Sequence, residues 1–301
     1  MDNQWKKLSG AGNWDGLFKP LDKDLENRLS LCIESIQVIR DSVLRQDKRK
    51  PAYQEKDLFS KMKTKEFGKL YTVTHYIYAR SDVPSSVNWI VKDKSAWIGY
   101  VAVATDDGKE RQKFLGKPCD PRVHKGFLSL YTSSNIEPPS YNDLSARDQV
   151  LHAVKTLVNN VDYRDEEISI TVTGHSLGAA LATLSATDIV ANKYNRRKGS
   201  DKICMVTAFV FGSPKVGDKG FREAFGRLKN LHLLRIKNKM DFVTKVPPKL
   251  RHFLAYEKVG IELKVNSWKK VLSKVTKELL EGVPVHSLKQ YLAALGSKFH
   301  R

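Results

Sequence analysis

Cysteine is scarce: three residues in a chain of 301, Cys32, Cys119 and Cys204, lie far apart and form no C-x-x-C pair. That argues against a disulfide framework and a thiolate zinc site, and it fits a reducing compartment. No apolar run approaches the ~20 residues a membrane span needs. The opening stretch MDNQWKKLSGAGNW has no apolar h-region and does not read as a secretory signal. Asp2, Asp15, Asp22 and Asp24 also argue against a transit peptide, which is poor in acids. Repeats and low-complexity tracts are absent. Acidic residues are in deficit, 33 against 52 Lys and Arg, for a net charge of +19. Such a charge permits attraction to nucleic acid or to anionic lipid. No helix-turn-helix, zinc-finger spacing or RNP-like aromatic pattern accompanies it, so no specific nucleic-acid partner is expected. The expected location is cytoplasmic.

What is present suits a packed core: 41% of residues are apolar and 9% aromatic. Pro20 and Asp22 open a predicted helix running to about Arg45, with Leu25, Leu29, Cys32, Ile33, Ile36, Ile39 and Val43 at helical spacing. A polar loop over 45–56 and a short basic helix, DLFSKMKT, follow. LYTVTHYIYAR (70–80) and AWIGYVAVATDDG (96–108) read as an antiparallel strand pair joined by a turn at SDVPSSVN. Residues 109–122 show no buried strand. Helices are predicted over 124–134 and 145–160, the second capped by Ser145 with Val150, Leu151, Val154 and Leu157 as its apolar stripe. Strands EISITVTG (167–174), ICMVTAFVFGSP (203–214) and LHLLRIKN (231–238) then alternate with helical segments at 179–194 and FREAFGRL. This alternation implies right-handed crossovers and a mainly parallel sheet covered on both faces.

Gly174-His175-Ser176-Leu177-Gly178 is a G-x-S-x-G set between a strand and an Ala-rich helix, the context a nucleophile elbow requires. A nucleophile there projects from a strained turn, and glycines let strand and helix approach closely. At a helix N-terminus, free N–H groups and the dipole favour developing negative charge. The Leu177 N–H is the natural first oxyanion donor.

A serine needs a base, and the base needs an orienting acid; in α/β-hydrolases these follow the serine as acid, then histidine. His232 begins a strand and His300 lies at the chain's far end. His252 sits in a basic loop and is the runner-up to His286, in GVPVHSLKQYL, a loop entering a final helix. Among acids, Asp188 lies within the helix after the elbow. Asp218 and Asp241 both follow strands, where active-site groups of such sheets lie. Asp241 is nearer its strand end and is preferred; Asp218 has the alternative of a turn residue. Ser176, His286 and Asp241 together describe acyl transfer through a covalent intermediate, with no metal or organic cofactor required.

The segments ITVTGHSLGAALATLSATDIVAN, SARDQVLHAVKTLV, VTAFVFGSPKVGD, SAWIGYVAVATDDGK and NWDGLFKPLDKDLENRL resemble the plant class II phospholipase A1 enzymes of the class 3 lipase family. The resemblance runs from Trp14 to about Leu295. It implies one α/β-hydrolase domain over 1–301 with an N-terminal helical extension, 1–66. It also implies a cytosolic setting and release of the sn-1 acyl chain of glycerophospholipids, so the expected partner is a phospholipid or other acyl lipid. The family's nucleophile falls on Ser176, its acid on Asp241 in a motif resembling N-x-x-D-x-V, and its histidine on His286 in a motif resembling H-x-L-x-x-Y-L.

Two departures stand out. The family carries a further core strand ending in Arg-Gly, whose turn supplies the second oxyanion donor. Here only DDGKERQKFLGKPCD fills that interval, and Arg-Gly occurs nowhere. A skipped exon, a compensated variant and a weakened paralogue each account for it. The alternative function is accordingly a catalytically weakened or inactive member of the fold that binds lipid or a protein partner. Second, SWKKVLSKVTKELLEG (267–282) sets Trp268, Val271, Leu272, Val275 and Leu279 on one helical face with lysines off it. It suits packing on the domain's own core, or peripheral contact with anionic membrane.

Overall fold

A computed structural model describes residues 4–43, 53–61, 70–80, 95–104, 121–134, 142–164, 166–247, 255–266 and 284–296. Residues 105–120 with Cys119, the turn at 81–94, the 267–282 segment, His252 and His300 lie outside the described residues.

The runs rich in β-branched and aromatic residues form strands. β1 (Tyr71–Arg80) and β2 (Ser95–Ala104) pair antiparallel, Tyr71 opposite Ala104 and Arg80 opposite Ser95, as a two-stranded sheet. β3 (Ser169–His175), β4 (Met205–Phe211), β5 (Leu231–Asn238) and β6 (Ile261–Val265) form a four-stranded parallel sheet in that order. Parallel neighbours need crossovers. α6 (Leu177–Ala191) joins β3 to β4, and α7 (Lys219–Gly226) joins β4 to β5. The architecture is the expected one: a parallel sheet flanked by helices, with antiparallel strands in the N-terminal part.

The period-two alternation of β4 and β5 sends side chains to two cores. On one face Val206, Ala208, Val210, Leu231 and Leu233 pack under α4 (Lys125–Thr132), α5 (Ala146–Val158), α6 and α7. On the other, Phe209, Phe211, Leu234 and Ile236 meet α2 (Lys23–Val43) and α8 (Leu288–Leu295). Each such large side chain contributes on the order of 1.5–3 kcal/mol when buried. α2 is capped by Asp22, whose Oδ1 accepts from the N–H groups of Asp24 and Leu25, each at 3.0 Å. The short α3 (Leu58–Lys61) buries Leu58 and Phe59.

Several boundaries differ from the sequence reading. The first 20 residues, which carry no predicted element, are built into the fold. They hold α1 (Gln4–Leu8), and Trp14, only 1% exposed, packs edge-on to Phe209 with its Nε1 donating to the Leu8 carbonyl at 2.8 Å. Thr207 Oγ1 also donates to the Ser9 carbonyl at 2.7 Å, fixing this segment to β4. The buried stripe of α5 runs through Leu151, Val154 and Val158, with Leu157 only half-buried. β6 was not anticipated. Its five residues carry Glu262 and Lys264 between Ile261, Leu263 and Val265, a charged pattern that suits an edge strand. Lastly, β3 reads as apolar yet only Gly174 within it is buried, whereas six of the seven β4 residues are. The cause is position. Among the described residues β3 pairs with β4 alone, so it stands at an edge of the described sheet.

Candidate active site

The elbow is tighter than the sequence suggests. β3 continues through His175 and α6 begins at Leu177, leaving Ser176 alone as the turn. Its φ of 59° and ψ of −122° are a strained conformation for a non-glycine residue. The Ser176 N–H donates to the Phe211 carbonyl at 3.0 Å, which ties the turn to the end of β4. Of the two flanking glycines, Gly174 is the one that crowding requires. A Cβ there would lie 2.2 Å from the Gly178 carbonyl oxygen, whereas one on Gly178 meets nothing within 4 Å. The Leu177 N–H, at the first position of a 15-residue helix, is engaged by no hydrogen bond among the described residues.

Three side chains distant in sequence meet above this end of the sheet. Ser176 Oγ lies 2.7 Å from His286 Nε2, and His286 Nδ1 donates to Asp241 Oδ2 at 2.8 Å. His286 comes from the loop before α8, whose N-cap Ser287 accepts from the Gln290 N–H. Asp241 is 1% exposed and stands three residues beyond β5. Its Oδ1 accepts from the Val243 N–H at 2.9 Å, and its Oδ2 also accepts from the Tyr291 hydroxyl at 2.6 Å. Burial is the largest influence on this carboxyl and pushes its pKa up. The bonds from His286, Tyr291 and Val243, together with the His286 charge, outweigh it and hold the group below the usual carboxylate range. An ionised carboxylate on Nδ1 leaves Nε2 free to accept a proton from Ser176.

The other candidates serve elsewhere. Asp188 takes a bidentate bond from Arg147, 2.6 and 3.1 Å, and one from the Tyr131 hydroxyl. Asp218 caps α7 by accepting from the Phe221 N–H at 2.8 Å. His232 lies on β5 edge-on to Trp14.

Three supporting residues escaped the sequence reading. Tyr291, fully buried, receives the Asn238 N–H at 3.2 Å while donating to Asp241, so it fixes the carboxylate to the end of β5. His175, inside the elbow motif, donates through Nε2 to the His286 carbonyl at 2.6 Å, and its ring lies 4.5 Å from that of His286. Gly212, at φ 59°, passes under the same imidazole, and a Cβ there would sit 2.8 Å from His286 Cε1. The signal for Tyr291 was its place five residues after His286; the other two needed the strand neighbours. Among the described residues no cluster of His, Cys, Asp or Glu is arranged to hold a metal ion.

The sequence model of the family described as Lipase (class 3) matches residues 91–251. Phospholipase A1-II 2 of Oryza sativa subsp. indica is 38% identical over 316 residues, covering 89% of this chain and 76% of that protein. Phospholipase A1-IIgamma of Arabidopsis thaliana is 36% identical over 336 residues, covering 96% and 77%. Among solved structures, Lip2 lipase from Yarrowia lipolytica superposes with TM-score 0.33 at 26% identity, covering 48% of this chain and 43% of that one. The Rhizomucor miehei lipase propeptide complex gives TM-score 0.45 at 20% identity, covering 81% and 69%.

Proposed function

Because the chain belongs to the class 3 lipase family, whose members hydrolyse carboxylic esters of lipids, we propose that it is a phospholipase A1 working through Ser176, His286 and Asp241. The observation that carries this reading is the unbroken hydrogen-bonded series from hydroxyl to imidazole to buried carboxylate. His286 Nε2 takes the Ser176 proton as Oγ attacks the acyl carbonyl. The tetrahedral oxyanion forms against the Leu177 N–H and the positive end of α6. His286 then returns the proton to the departing glycerol oxygen, leaving an acyl-serine. Water, deprotonated by the same imidazole, attacks that ester and releases the fatty acid. Asp241 stays ionised throughout and stabilises the imidazolium. The substrate assignment, the sn-1 ester of a glycerophospholipid, follows the plant phospholipases A1 that the chain resembles. A cytoplasmic setting goes with it, supported by Cys32 and Cys204 as free, buried thiols.

The alternative, a fold that binds lipid without turning it over, is the less supported. It rests on the missing Arg-Gly, whose interval lies outside the described residues. One experiment separates the two. Purified protein and Ser176→Ala are treated with a fluorophosphonate probe, then given a phospholipid with distinguishable sn-1 and sn-2 chains. Ser176-dependent labelling with release of the sn-1 chain is expected. Labelling without turnover would indicate a crippled oxyanion site, and no labelling of folded protein would reject the hydrolase.

A further inference from the structure

The segment Lys237-Asn238-Lys239-Met240-Asp241-Phe242-Val243-Thr244-Lys245 leads from the end of β5 across the top of the sheet. Asp241 turns inward and is bonded into the triad series, as described above. Its two neighbours do the opposite. Met240 is 59% and Phe242 67% exposed, among the largest apolar exposures in the described residues. Open positions beside a functional carboxylate do not need apolar side chains for folding, and both residues leave apolar surface in water. The exposed charged residues on either side of them in this segment are lysines. Lys239 and Lys245 are exposed on either side, and among the described residues neither is paired with a carboxylate. Lys237 is half-buried on the same strand end, where Glu262 is the nearby acid. Glu262 is itself engaged by Lys258 at 2.8 Å. Lys215, from the turn after β4, donates its Nζ to the Pro247 carbonyl, so a further ammonium borders the same loop.

We propose that Met240 and Phe242 are an interfacial anchor that enters the headgroup layer of an anionic phospholipid surface, with Lys239 and Lys245 resting on its phosphates. Apolar side chains flanked by lysines are the combination that binds such a surface: burial supplies the anchor and charge supplies the preference for anionic lipid. The excess of 52 basic over 33 acidic residues suits the same partner. Because the anchor residues bracket Asp241, docking would bring the lipid surface to the end of the sheet that carries Ser176. The inference deepens the phospholipase reading, but its test does not depend on turnover.

The test is cosedimentation of the full chain with vesicles of phosphatidylcholine alone and of phosphatidylcholine mixed with phosphatidylglycerol. Hydrolysis of a short, water-soluble ester is followed in parallel. The parent is expected to bind the mixed vesicles preferentially. Met240→Ser/Phe242→Ser is expected to lower that binding about tenfold while soluble-ester hydrolysis and the melting midpoint stay near the parent's. Met240→Leu/Phe242→Leu should restore binding. Lys239→Glu/Lys245→Glu should abolish the preference for phosphatidylglycerol. Unchanged vesicle binding by the serine pair overturns the anchor, as does an apolar contact that proves to dimerise the protein without affecting vesicle binding. Loss of soluble-ester hydrolysis in the parent would instead reject the hydrolase reading and leave the anchor to be judged on vesicle binding alone.

Discussion

A carboxylate that accepts three hydrogen bonds, from His286, Tyr291 and Val243, does a different job from one held by a single imidazole. Tyr291 stands between the Asn238 N–H and Asp241 Oδ2, so its hydroxyl positions the acid without meeting substrate. Tyr291→Phe should lower kcat roughly tenfold with KM nearly unchanged, since a hydrogen bond to a charged group contributes about 1.5–3 kcal/mol. Steady-state kinetics on a soluble ester checks it. Asp241→Asn should cost about 10⁴-fold in kcat, because the imidazole loses the group that fixes its tautomer. The pH dependence has a definite sign. The Asp241 pKa is lowered in the folded protein, so its ionised form contributes stability above the ordinary aspartate value, about 3.9. That contribution is lost as pH falls through the lower, folded value. Urea midpoints of parent and Asp241→Asn should therefore differ at neutral pH and converge in strong acid. At this scale the meeting of Ser176, Asp241 and His286 is legible in the sequence, because elbow context, strand ends and chain order each restrict the choice. The parts of Tyr291, His175 and Gly212 are not. Their contacts depend on which strand ends lie beside which, and one sequence does not contain that.

Elements were legible where period and length agreed. β4 and β5 were found nearly whole, because runs such as MVTAFVF and LHLLRI suit only a buried strand. β6 is faint in the sequence because five residues with two charges give a weak signal. The elbow is tighter than its sequence pattern implies: the strand and helix patterns leave 175–178 between them, and a single strained residue makes the reversal. That economy carries a steric demand. Gly174→Ala drives a methyl against the Gly178 backbone, which no rotamer relieves. It should abolish both fluorophosphonate labelling and a cooperative thermal transition of normal midpoint. Asp218 offers the opposite case, a residue whose removal harms one helix only. Asp218→Ala loses the cap of α7 and the bond its Oδ1 accepts from the Arg122 N–H. A loss of about 1 kcal/mol is expected in urea unfolding, with labelling of Ser176 intact.

The molecule as a whole is organised by the two faces of its parallel sheet, and each face buries one free thiol. Cys32 on α2 and Cys204 before β4 have their pKa values pushed up by burial to about 11 and about 12. Thiolate, not thiol, is the reactive form. At neutral pH, iodoacetamide should therefore leave both unmodified in the native protein, with alkylation appearing only through the unfolding transition; peptide mass mapping across a urea series reads this directly. The scarcity of cysteine was plain in the sequence, but the shielding of these two was not, since it depends on helices that close over the sheet from distant parts of the chain.

The closing of one face by α2, α8 and Trp14 bears on anyone who would trim this protein. The matched family region, 91–251, looks like a ready-made catalytic unit. Expressed by itself it would leave Phe209, Phe211, Leu234 and Ile236 open to water on one side of the sheet. It would also omit His286 and Tyr291, stranding a serine with no base. Such a fragment should aggregate rather than work: the stretch that the family model matches is narrower than the smallest piece able to fold.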